Sequence, residues 1–143
     1  MKHALHPRIG FTLLEVVVVI IVLGLLAAIV APQILGRVSD ARTTAAQTQV
    51  ELFGTALDSY RLDNGSYPTT EQGLAALRER PTRAPAPTNW RGPYLRKDVP
   101  VDPWGKPYLY RSPGERNATG YDLSSLGRDG KVGGEGEDKD VIG

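Results

Sequence analysis

The chain has 143 residues, 41% of them hydrophobic, and its 17 Lys and Arg are set against 16 Asp and Glu for a net charge of +1. With bases scattered among acids there is no basic footprint for nucleic acid, and the absence of cysteine removes disulfides, thiol nucleophiles and thiolate metal sites together. The only histidines, His3 and His6, precede the long apolar run, so no histidine triad or histidine zinc site can form in the body of the chain, and an enzyme would have to work with carboxylates alone.

Phe11 to Ala31, FTLLEVVVVIIVLGLLAAIVA, is apolar except for Glu15. As a helix it would rise about 1.5 Å per residue and reach roughly 30 Å, the thickness of a bilayer's hydrocarbon core. Lys2 and Arg8 ahead of it hold that end on the cytoplasmic side, so the rest of the chain is expected outside, where it forms one small domain. Glu15 costs about 2.5 to 3.5 kcal/mol at full depth, so it needs either a partner charge or a path by which to snorkel to the head groups. The bland alternative is a plain signal anchor, or a signal peptide cut near Ala27 and Ala28.

Gly10-Phe11-Thr12-Leu13-Leu14-Glu15 resembles the processing motif of type IV pilin-like proteins. The resemblance implies that residues 1–10 are a leader cleaved after Gly10 by a membrane-embedded aspartyl prepilin peptidase, and that Phe11 becomes the N-methylated first residue. Glu15 would then pair with the freed ammonium of a neighbouring subunit, lowering its desolvation cost and staggering subunits along a filament axis.

Pro32 lacks a backbone donor, which predicts a kink or a melted turn near Ala28 to Pro32, after which the helix resumes. Ala46, Val50, Phe53, Leu57 and Tyr60 recur at helical spacing and form one buried face, and Asn64-Gly65 is a stop signal. One helix is therefore expected from Phe11 to Asp63, its first part (11–31) the span and the rest (32–143) belonging to the domain. Thr69 with Gln72 reads as a capping box for a short helix over Thr70 to Arg78. Arg80 to Pro93, with four prolines, reads as an irregular surface loop. Tyr94-Leu95, Leu109 to Arg111 and Tyr121 to Ser124, separated by turn residues, predict a small antiparallel sheet on the helix, hence an α+β fold. Trp104, Tyr108 and Tyr110 are read as closing a core too small to do without them, an exposed aromatic binding surface being the alternative.

Leu62 to Leu74 (LDNGSYPTTEQGL), Asp102-Pro103-Trp104-Gly105 and Ser125 to Gly130 (SLGRDG) resemble the protein G family of type II secretion, the major pseudopilins. The resemblance implies a pilin-like fold and a non-enzymatic subunit. Such a subunit forms a homopolymer, a periplasmic pseudopilus, with minor pseudopilins, at a single-pass inner-membrane position. A platform protein and a cytoplasmic ATPase build the polymer, which drives folded proteins through an outer-membrane secretin. The runner-up is the major pilin of a type IV pilus, serving adhesion or motility.

Asp129 to Gly143 is rich in glycine and acids, and hard oxygen donors without nitrogen or sulfur suit Ca²⁺, although the spacing is not that of an EF-hand. The resemblance sharpens this: it implies calcium held by the Asp129 side chain and the Leu126 and Lys131 carbonyls. Asp138 and Asp140 are the expected closing carboxylates, with Glu135 or Glu137 as substitutes.

Overall fold

The computed structural model describes residues 10–143; the expected leader residues Lys2, His3, His6 and Arg8 lie outside the described residues. Two compact units divide the chain, one ending at Val38 and one spanning Ser39–Gly143. A single α-helix, α1 (Leu13–Asn64), contributes to both.

In the first unit Thr12 caps the helix: its Oγ1 accepts the Glu15 amide at 3.1 Å, and its carbonyl accepts that of Val16. The first turn thus reads Thr-x-x-Glu, the spacing of a capping box, with Glu15 where the helix dipole favours a negative charge. The backbone stays helical through Pro32, so the melted turn is absent from this single chain, the missing donor being tolerated without a break. Val, Ile and Leu side chains from Leu13 to Leu35 are exposed, and no part of the most apolar window is buried. A helix that is apolar all round and uncovered needs lipid or other helices about it.

In the second unit the expected face of α1 is the core. Ala46, Val50, Phe53, Ala56, Leu57 and Tyr60 are buried, against Leu74, Ala76, Leu77, Tyr108, Leu123 and Val141. Phe53 meets Tyr108 edge to face at 5.1 Å between ring centroids. Gly65, at φ 81°, ends α1 as predicted, its amide returning to the Arg61 carbonyl at 2.7 Å.

The sheet is three-stranded and antiparallel, in the order β1 (Leu109–Arg111), β2 (Asp122–Ser125), β3 (Val141–Ile142). β2 pairs Tyr110 with Leu123 on one side and Ser125 with Val141 on the other. Two of the three expected strands are present. Tyr94-Leu95 is not a strand: both amides go to the Leu77 carbonyl, which pins the segment to that residue and takes its donors from any ladder. The third strand is instead Val141–Ile142, a β-branched pair beyond the acidic loop.

The capping box at Thr69 is formed in both directions, the Thr69 amide to Gln72 Oε1 at 3.0 Å and the Gln72 amide to Thr69 Oγ1 at 3.3 Å. It leads into a 3₁₀ turn, Leu74–Leu77, and not into a helix over Thr70 to Arg78. Gly73, at φ 60°, interrupts the run, and the residues left before Pro81 are too few to repay α-helix nucleation. Gln72 also donates to the carbonyls of Arg83 and Pro85, tying down the proline-rich loop. Trp104 and Tyr110 pack on the core and Tyr108 is part of it, the structural role expected of them.

Candidate functional sites

The N-terminal site is simple. Gly10 and Phe11 precede the helix and are exposed, Phe11 at 79%, and Glu15 follows one turn on, also exposed. Among the described residues Glu15 has no salt-bridge partner.

The C-terminal site is built by two segments docked together. Asp102, almost wholly buried, accepts the amides of Trp104 and Lys106 on Oδ1 at 3.1 and 2.7 Å. Its Oδ2 accepts the Ser125 hydroxyl at 2.6 Å, and Ser125 Oγ in turn accepts the Gly127 amide at 3.2 Å. A buried carboxylate is tolerable when its oxygens are satisfied in this way. The Asp102-Pro103-Trp104-Gly105 turn is thereby fixed to the end of β2. The Lys106 ammonium adds bonds to the carbonyls of Gly127, at 3.4 Å, and Arg128.

From there the loop curls back over itself. Gly127, at φ 64°, lets the chain pass so close that a Cβ would sit 2.6 Å from the Glu137 carbonyl oxygen. Arg128 forks onto Asp138, Nε to Oδ1 at 2.9 Å and Nη2 to Oδ2 at 3.0 Å, and also donates to Glu137 Oε2 at 3.3 Å. Hydrogen bonding and charge from Asp138 raise the Arg128 pKa further above its usual value. Glu137 Oε1 accepts Trp104 Nε1 at 3.3 Å and Arg42 of α1 at 3.4 Å. Sequence reasoning missed both Arg128 and this Glu137 hub; the signal was an arginine beside the turn and a tryptophan within it.

The expected calcium donors are placed as follows. Leu126 follows β2, between Ser125 and the Gly127 turn; Asp129 Oδ1 accepts the Lys131 amide at 3.0 Å, and Asp140 Oδ2 accepts the Gly133 amide at 3.0 Å. Asp140 Oδ1 is buried with no hydrogen-bond partner, an acceptor without a donor. An orphaned carboxylate oxygen is a hard donor of the kind a hard cation takes. Asp138 is committed to Arg128 on both oxygens and Glu137 to two arginines and Trp104, whereas Glu135 is exposed. No group of three or more His, Asp or Glu side chains converges among the described residues, so backbone carbonyls would have to complete the shell.

A bare apolar helix that continues into an amphipathic half, with a small antiparallel sheet on that half and a tied C-terminal loop, is the build of a pilin-like subunit. The chain matches the type II secretion system protein G family over residues 33–143 and the prokaryotic N-terminal methylation motif over residues 6–31. It is 48% identical over 132 residues to the type II secretion system core protein G of Pseudomonas aeruginosa, covering 92% of each chain. The core protein G of Vibrio cholerae is 46% identical over 138 residues, covering 96% of this chain and 92% of the relative. The crystal structure of the major pseudopilin from the type 2 secretion system of enterohaemorrhagic Escherichia coli superposes with a TM-score of 0.63 at 38% identity, covering 76% of this chain and 90% of that one. This chain belongs to the type II secretion system protein G family, the major pseudopilins: structural subunits of the secretion machinery and not enzymes. Its apolar N-terminal helix is a membrane anchor.

Proposed function

We infer that this chain is made with a leader of residues 1–10, cut after Gly10 by a prepilin peptidase, and methylated at Phe11. It then rests in the bacterial inner membrane through the 11–31 helix with its domain in the periplasm. From there it polymerises, with minor pseudopilins, a platform protein and an assembly ATPase, into a pseudopilus that moves folded proteins toward the outer-membrane secretin.

The observation that carries this reading is the uncovered apolar half of α1 with Glu15 one turn from its head. A carboxylate there is stabilised by the ammonium that cleavage releases on Phe11 of an adjacent copy. The capping bond to Thr12 supports the same end, because it orders the helix start while leaving the Glu15 carboxylate available. Glu15→Ala is expected to yield chains that intact-mass analysis shows to begin at methylated Phe11 yet that do not enter sedimentable polymer. Polymer at normal yield from that variant would refute the charge-pairing reading.

Ca²⁺ is proposed as the resident ion of the C-terminal loop. Asp140 and Asp129 with the carbonyls of Leu126 and Lys131 would hold it, and Asp138 would join only by leaving Arg128. Bound there, the ion cross-ties β2 to β3 in a domain that has no disulfide to do so.

A further inference from the structure

A groove of about 570 Å³ runs on the Ser39–Gly143 unit between α1 and the segment 94–100. Leu52, Ala56, Tyr94, Leu95 and Pro100 give it an apolar lining, and Leu52 is 54% exposed there. Arg96, Lys97 and Asp98 line it too: Asp98 is paired with Arg78 at 3.2 Å, whereas Arg96 and Lys97 are exposed and without an ion pair among the described residues. The even scatter of charge breaks down in this stretch: from Arg78 to Asp98 the bases Arg78, Arg80, Arg83, Arg91, Arg96 and Lys97 face only Glu79 and Asp98.

The C-terminal loop has the complementary character. Val132 stands out at 80% exposure between Asp129 and Glu135, and the exposed Glu135 carboxylate has no ion pair among the described residues. Although Lys131 adjoins the knob, Asp129 and Glu135 leave the 129–135 loop with a net charge of −1, which matches an apolar groove rimmed by two unpaired cations. Within one chain the two stand apart. The C-terminal part of the loop shares a cleft with Ser39 and Thr43 of α1. Thr43 and the groove's Leu52 are roughly two and a half turns apart, which sets them on opposite sides of the helix.

We propose that this groove receives the 129–135 loop of a second copy of the chain, Val132 seated against Leu52 and Leu95, and Glu135 against Arg96 and Lys97. Knob and groove lie on different faces, so the contact is heterologous and does not close on itself, the kind that extends into an open filament and not a symmetric dimer. The charged rim sets register and partner choice more than affinity. Glu135 is free for this role because the loop's proposed calcium donors do not include it. The inference rests on the proposed filament and adds to it one specific lateral contact.

Because the chain has no cysteine, introduced ones report without background. Full-length chains carrying Val132→Cys and others carrying Leu52→Cys, expressed together in membranes where they polymerise, are expected to give a mixed disulfide dimer on oxidation, since the bond forms only at true contact. Neither variant alone should do so. In an independent arm, Lys97→Glu lowers polymer yield roughly tenfold, and adding Glu135→Lys in the same chain restores it. Sedimentable polymer without the mixed dimer, self-linking of Leu52→Cys, or capture of a different protein would overturn this contact and leave the filament reading standing. If the unsubstituted chain forms no polymer, both fall.

Discussion

Asp138 and Asp140 stand two positions apart and have opposite surroundings. Both oxygens of Asp138 lie in the fork of Arg128, whereas Asp140 keeps one buried oxygen with no partner. By charge and position alone they are equivalent, and nothing in the sequence separates them. If calcium occupies the loop, chelation lowers the melting temperature of the unsubstituted chain, Asp140→Ala abolishes that response, and Asp138→Ala retains it while losing the arginine pair. Thermal melts with and without chelator decide the matter, and the reverse pattern would exchange the two roles. Glu15 repeats the lesson at the other end: its place near the head of the apolar run was legible, but its place as the third helical residue of a Thr12-capped turn emerged from the backbone. That pattern is also present in the sequence, as Thr-x-x-Glu, but the processing motif uses the same letters and masks it.

Among the elements, α1 was the most legible, since helical spacing over many residues leaves little choice. The short pieces were not. Leu74–Leu77 became a 3₁₀ turn, Tyr94-Leu95 lost its strand to the Leu77 carbonyl, and the sheet took its third strand from the C-terminus. Such pieces are too short for local preference to outweigh tertiary contacts. One such contact is the join between the 102–106 turn and β2, where the buried Asp102 depends on the Ser125 hydroxyl. Ser125→Ala leaves a buried carboxylate oxygen short of a donor and is expected to cost about 1 to 3 kcal/mol. For a domain of this size each kcal/mol lowers the melting temperature by roughly 4 to 8 °C. A melt within a degree of the unsubstituted chain would show that the join contributes little.

At the scale of the whole molecule, tyrosine recurs around the core: Tyr60 and Tyr108 are buried in it, and Tyr67, Tyr94, Tyr110 and Tyr121 pack against it. Burial raises the pKa of Tyr60, Tyr94, Tyr110 and Tyr121, and pushes Tyr108 up to about 12, with the Asp102 carboxylate adding to the shift. Unfolded tyrosine ionises near 10, so the folded state holds these protons more tightly. The stability they contribute is complete below about pH 10 and is lost as pH rises toward 12. Melting temperature is expected to fall across that window, with phenolate absorbance appearing together with unfolding; phenolate formation near pH 10 in a chain that stays folded would contradict it. The sequence by itself determined the apolar span, the Gly10-Phe11 processing motif, the buried face of α1 and the membership of the family, because each is written in local order and periodicity. Only the tertiary structure decided which acids remain available, since Arg128, Lys106 and Trp104 reach their partners across the fold, and a side chain's charge is spent or free according to what folding brings within hydrogen-bond range.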